Sequence, residues 1–111
     1  MLVLLLLSVV SCRQQNATIF GRPAEQRVST VAAVREAASS QNVTLSGVMI
    51  EKCPIAGCWF RLRDTTGIIW ADTKSAGFAV VNVPLAAKVI VSGKIVADGA
   101  DITLDAAGLR Y

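Results

Sequence analysis

Asp64-Thr65-Thr66-Gly67 is the stretch that most limits what this chain can fold into, because it sets a tight reversal between two short β-rich runs. Aspartate at the first position and glycine at the last suit a type I turn. The runs on either side, Cys58 to Asp64 and Ile68 to Asp72, therefore read as the two strands of a hairpin. Alternation and β-branched residues extend the pattern, predicting further strands over Val43 to Lys52, Ala87 to Val96 and Ile102 to Leu109. Asp98-Gly99-Ala100-Asp101 supplies a second turn, between the last two strands. Gly47 and Gly93 lie inside the two longest strands, where a glycine marks a bulge or sharp bend that lets a strand curl. Pro84 falls in the connection before the fourth strand, where its missing backbone donor costs no ladder bond.

Ahead of the strands, Ser29 or Thr30 can cap a helix running from Val31 to about Ser39, with Val31, Val34 and Ala38 along one face. Five strands with a long bent first member, a three-strand meander and a returning pair describe a mainly β protein. The expected fold class is a five-stranded Greek-key barrel of the OB type with one N-terminal helix. Thr73 to Val83 has room for only a turn or two of helix between the third and fourth strands. The helix that precedes the first strand is expected to take that place under the barrel.

The first eleven residues carry an address. Leu2 to Leu7 form an unbroken apolar run, shorter than the roughly 20 residues a membrane span needs and matched to the apolar region of a signal peptide. Val9-Val10-Ser11-Cys12 resembles a lipobox, which implies that Cys12 is acylated and becomes the new N-terminus. The alternative is an apolar strand or buried helix with Cys12 as a core thiol, and the abrupt polarity of Arg13-Gln14-Gln15-Asn16 argues against it. The expected organisation is a signal peptide over 1–11, a flexible tether over 12–27 and one domain over 28–111. Arg13 is not aspartate, so the likeness to Gram-negative lipoproteins implies an envelope protein facing the periplasm from the outer membrane.

A chain of 111 residues with net charge +3 and no histidine excludes several kinds of chemistry. Serine–histidine triads, histidine general bases, histidine-containing zinc sites and haem attachment of the Cys-x-x-Cys-His kind all need the missing residue. The cations are scattered, which gives at most a local anionic preference. Glu51 and Lys52 beside Cys53 read as strand-edge charges. Asp98, Asp101 and Asp105 read as turn chemistry, without the spacing of a calcium loop. No catalytic site, metal site or cofactor is expected.

The string Phe60-Arg61-Leu62-Arg63-Asp64-Thr65-Thr66-Gly67-Ile68-Ile69 resembles the strand-turn-strand signature of OB-fold domains. Val43 to Val48 resembles their kinked first strand, and Val89 to Val96 with Leu104-Asp105-Ala106 resembles their last two. The likeness runs from Val28 to Leu109. It is strongest to small periplasmic OB-fold proteins of bacteria, some with a cysteine pair ending in Gly-Cys-Trp in the first hairpin, as Cys53-Pro54-Ile55-Ala56-Gly57-Cys58-Trp59 does here.

Four readings of Cys53 and Cys58 follow. A short Pro/Gly-containing loop can bring two thiols to disulfide separation, and an exported domain lies in an oxidising compartment, so a structural disulfide leads. A two-thiolate copper(I) site, a redox dithiol and independent free thiols are the others. Along the second strand, Cys58, Phe60 and Leu62 share the core face and leave Trp59, Arg61 and Arg63 outside. If Leu62 pairs with Ile69, Trp70 joins the outer set opposite Arg61, whereas a bulge at Gly67 would bury it. The likeness to OB domains favours Trp70 outward.

Aromatic faces stack bases or sugars and arginines meet phosphates, which makes Trp59, Arg61, Arg63 and Trp70 the expected ligand-binding set. The plainer reading covers the tryptophans with the N-terminal segment and leaves the arginines as a solvated face. The expected function is a lipid-anchored, non-enzymatic, monomeric binding module for a polyanion, nucleic acid, glycan or envelope protein. The alternative is a thiol redox or copper-handling protein acting through Cys53 and Cys58.

Overall fold

A computed structural model describes residues 18–22, 27–37 and 40–111 of the chain. Its elements are β1 (Ile19–Gly21), α1 (Val31–Ala37), β2 (Asn42–Lys52), β3 (Trp59–Asp64), β4 (Gly67–Asp72), β5 (Lys88–Asp98) and β6 (Asp101–Arg110). The five expected strands are therefore β2 to β6, each within two residues of its expected ends. The sheet runs β1-β6-β4-β3-β2-β5 and closes through a further β5–β6 pairing. β4 and β6 are parallel and every other neighbouring pair is antiparallel. The result is a closed five-stranded Greek-key barrel with β1 laid against β6.

Strand alternation makes the core. Phe60 and Leu62 of β3, Ile69 and Ala71 of β4, and Val89, Val91 and Ile95 of β5 all point inward and are buried. Leu45, Met49, Leu104 and Leu109 complete the interior. β2 is long enough to serve two neighbours. Val43 to Gly47 pair with β5, Val48 pairs with both strands, and Met49 to Lys52 pair with β3. Gly47 permits this handover, since a Cβ there would lie 2.4 Å from the carbonyl oxygen of Arg63. The irregularity expected at Gly47 falls instead between Met49 and Glu51, beyond the crossing. The one expected at Gly93 lies between Ser92 and Gly93, where a Cβ would meet the Asp105 carbonyl oxygen at 2.2 Å.

Thr30 is the helix cap, its hydroxyl accepting from Ala33 N at 3.1 Å. The first turn of α1 finds its other partners in the β3–β4 hairpin. Val31 N donates to Asp64 Oδ2 at 2.8 Å and Ala32 N to Thr66 Oγ1 at 2.9 Å. Val31 and Val34 are buried as expected, whereas Ala38 lies outside the described residues. This docking corrects the expected position of the helix. α1 sits at the hairpin where β4 begins, while the 73–87 connection leaves from the other end of β4. The barrel is closed at that other end by Val80 and Val83, both fully buried.

Lys52 shapes that connection. Its ammonium donates to the carbonyl of Val81 at 2.7 Å, to that of Val80 at 3.5 Å and to that of Val83. One cation thus gathers carbonyls that a turn of helix would have satisfied internally. Lys52→Met keeps the aliphatic stem and strands the carbonyls of Val81 and Val83, that of Val80 keeping its bond from Val83 N, so a loss of about 1–3 kcal/mol is expected in urea unfolding. An unchanged midpoint would show that water replaces the ammonium freely.

The stretch expected as tether contributes β1. Ile19, Phe20 and Gly21 pair with Arg110, Leu109 and Gly108, and Thr18 and Tyr111 exchange backbone hydrogen bonds. Phe20 stacks on Phe78 at 5.6 Å and on Tyr111 at 6.2 Å. The rest of the expected signal peptide and tether, Cys12 included, lies outside the described residues except for Thr18, Arg22 and Arg27.

Candidate functional site

The hairpin register decides which side chains share a face. Arg61 pairs with Trp70 and Leu62 with Ile69, and no bulge intervenes at Gly67. Trp70 is accordingly outward and 40% exposed. Trp59 and Trp70 stack with ring centroids 4.2 Å apart and planes 19° from parallel. Stacking leaves each ring one face that the other does not cover. Beyond Trp70 lies a groove of about 440 Å³ lined by Asp72, Lys74, Val96, Asp98, Thr103 and Asp105.

The cations are not equivalent. Arg61 Nη1 is bound to Glu51 Oε2 at 3.1 Å, so its charge is already answered on the sheet. Arg63 is exposed and has no ion-pair partner among the described residues. Val48 pairs with Arg63 on one side and with Lys88 on the other, which puts these two cations on one outward row. Their Cα atoms are two strand spacings, roughly 10 Å, apart. Lys88 is exposed and likewise lacks an ion pair among the described residues. Between and beside them opens a groove of about 680 Å³ lined in part by Ser29, Thr30, Ser46, Val48 and Thr65, and by Asp64, whose carboxylate is turned to its own turn and to Val31 N. The outer face is therefore polar in the electrical sense: unpaired cations at the β2–β3 side, stacked indoles in the middle, and carboxylates at the β6 side.

Sequence reasoning brought Trp59, Arg61, Arg63 and Trp70 together correctly as one face. It missed Lys88, whose place beside Arg63 depends on a register 25 residues away in the chain. It also read Glu51 as an idle edge charge, whereas Glu51 holds Arg61.

Cys53 and Cys58 flank the β2–β3 loop, closed by Cys53 N donating to Trp59 O at 3.1 Å. Both are half-exposed free thiols, without the expected disulfide. Backbone N–H groups of Ala56 and Ile55 point at the Cys53 sulfur and, outweighing the effect of burial, bring its pKa down to about 7. Cys53 is therefore partly thiolate at neutral pH, the form that attacks a disulfide or an electrophile. Iodoacetamide should modify reduced Cys53 with a rate whose pH midpoint is about 7, read by peptide mass spectrometry. A midpoint at the ordinary thiol value near 9 would mean that those amides do not act on the sulfur. Among the described residues no cluster of three cysteine, aspartate or glutamate side chains could hold a metal ion, and no helix is long and apolar enough to cross a membrane.

A closed barrel in which the third and fifth barrel strands run parallel, with the outer faces of strands two and three carrying the aromatic groups, defines an OB-fold domain. The family model of the bacterial OB fold (BOF) proteins matches residues 10–110, and the chain belongs to that family. Among solved structures it is similar to that of the hypothetical protein ygiW from E. coli, with 22% identity and a TM-score of 0.60, covering 82% of this chain and 95% of that one. That likeness is one of fold. No curated protein matches the chain by sequence.

Proposed function

We propose that this bacterial OB-fold protein is a non-enzymatic binding module whose ligand is a short anionic oligomer, nucleic acid or glycan, held across the outer face of β3 and β4. The observation that carries the reading is the stacked Trp59–Trp70 pair with two cations, Arg63 and Lys88, that have no ion-pair partner among the described residues, on the same face. Indole faces gain from stacking on bases or sugar rings, and the neighbouring cations favour an anionic group on the β2–β3 side. Asp72, Asp98 and Asp105 oppose extension of a uniform polyanion past Trp70. They suit the uncharged, hydroxyl-rich part of a ligand instead. The domain is further proposed to hang from an acylated Cys12 and to face the periplasm from the outer membrane, a reading supported by Val9-Val10-Ser11-Cys12 and the apolar run before it. Mass spectrometry of the mature protein tests that anchor, and an unmodified Cys12 would remove it.

Oligothymidylate, which offers both rings and phosphates, is a suitable probe. Two available cations imply that log K falls against log salt with a slope of about −1.4, from roughly 0.7 per neutralised phosphate on a single strand. Replacing Arg63 and Lys88 together by alanine should flatten the slope towards zero. Glu51→Gln should steepen it by freeing Arg61. A slope that neither change alters would place the phosphates elsewhere.

A further inference from the structure

The two ends of the barrel differ in chemistry. At one end the β3–β4 and β5–β6 turns carry Asp64, Asp98 and Asp101, and Arg35 of α1 reaches both turns, donating to Ile68 O at 2.7 Å and to Asp101 Oδ1 at 3.1 Å. At the other end, the 53–58 loop and the 73–87 connection contain no aspartate or glutamate and one cation, Lys74. Ile55 is 89% exposed there, Leu85 56% and Val81 43%. These apolar side chains stand on a fixed platform. Val80 N donates to Gly57 O at 2.8 Å, Thr73 N to Cys58 O at 2.9 Å, and Lys52 reaches three carbonyls of the connection.

The chain also enters the fold at this end. Thr18 pairs with Tyr111, just past the end of β6, and Phe20 packs on Phe78 of the 73–87 connection. Cys12 lies six residues before Thr18, a reach of at most about 20 Å even when fully extended. An acyl chain on Cys12 would hold the apolar end, and not the acidic one, next to the bilayer.

We infer that the Ile55, Val81 and Leu85 tip docks on the lipid bilayer surface and so fixes the domain upright on the membrane. The inference rests on the anchor at Cys12 proposed above. The acyl anchor fixes where the chain meets the bilayer but not which way the domain turns, and a second contact supplied by the protein sets that orientation. The docked orientation leaves the Trp59–Trp70 face on the side of the barrel, open to a soluble ligand. It also turns the carboxylates of the far end away from anionic headgroups.

The test uses the full chain reconstituted in vesicles of phosphatidylethanolamine and phosphatidylglycerol, compared with a variant carrying Ile55→Glu and Leu85→Glu. Flotation with the vesicles reports attachment, and hydrogen exchange reports docking. Amides of 55–57, 80–83 and 85–86 should exchange several-fold more slowly in the wild type than in the variant, while those of 64–67 and 98–101 exchange alike. A second variant, with serine at both positions, should give an intermediate result. Equal exchange in floating wild type and variant would overturn the docking and leave the anchor. A chain with unmodified Cys12 that still floats, and whose glutamate variant does not, would overturn the anchor and support the docking. Failure to float at all would overturn both. Slow exchange of the same loops without vesicles, at the mass of a dimer, would assign the tip to a second copy of the chain and overturn the docking.

Discussion

Removing both indoles, as Trp59→Ala with Trp70→Ala, is expected to weaken oligothymidylate binding by about 2–6 kcal/mol, from 1–3 kcal/mol for each stacked ring. Every 1.4 kcal/mol is tenfold, so binding should fall from readily measured to barely detectable. The geometry of the pair sets the size of this loss. Rings 4.2 Å apart and nearly parallel act as one rigid stack, so a ligand ring meets a surface that is already ordered. Single substitutions should each give more than half of the loss, because either change leaves the remaining ring free to rotate. Folding should suffer much less, since Trp70 is substantially exposed and the pair contributes about 0.5–1.5 kcal/mol beyond its buried area. Retained affinity in a folded double variant would exclude stacking as the basis of binding.

Asp64→Ala is expected to cost about 2–3 kcal/mol of folding stability, the sum of several backbone donors losing their acceptor at a partly exposed site. Asp64 does more than close its own turn. Its Oδ1 accepts from Thr66 N at 2.7 Å, from the Thr66 hydroxyl and from Gly67 N, while Oδ2 accepts Val31 N at the start of α1. Burial raises the carboxyl, but these hydrogen bonds outweigh it and hold the pKa below its ordinary value. A group whose folded pKa is depressed stabilises the fold at pH above its unfolded pKa, near 4, and that contribution is lost as pH falls through the folded value. The wild type should therefore lose stability on acidification below about pH 4 more steeply than Asp64→Asn. Parallel acid profiles for the two proteins would show that Asp64 makes no charge-dependent contact.

The same residue explains why so much of the barrel could be read from the sequence. A hairpin bounded by aspartate and glycine fixes the register, and register fixes parity, so Trp59, Arg61, Arg63 and Trp70 fall outward once Leu62 is set against Ile69. What escaped was information carried by contacts distant in the chain. Ile19-Phe20-Gly21 is too short to display a period, and its identity as a strand comes from the edge of β6 that β4 leaves open beyond Asp105. The helix was legible but its docking was not, because the donors of its first turn are met by Asp64 and Thr66 more than 30 residues later. Lys88 became part of the candidate site only through Val48, its neighbour across β2. Gly47 was expected to mark a bulge or sharp bend; the bulge falls between Met49 and Glu51, and Gly47 itself allows the close approach of backbones at the crossing.

The charges tell a similar story. A scattered set of 11 cations and 8 acids gave no patch in the linear sequence, yet folding sorts them. Arg61 is consumed by Glu51 and Arg35 by Asp101, which leaves Arg63 and Lys88 available on one row. Net charge therefore overstates the anion affinity of the molecule, and pairing on the sheet sets it.

The central claim is that the β3–β4 face is where a ligand lies, and amide and indole chemical shifts of the full chain during titration with oligothymidylate test it most directly. The expected result is saturable movement of the Trp59 and Trp70 indole signals together with the amides of Arg63 and Lys88. Movement confined to the groove of Asn42, Lys94 and Ala107, or none at all, would contradict it.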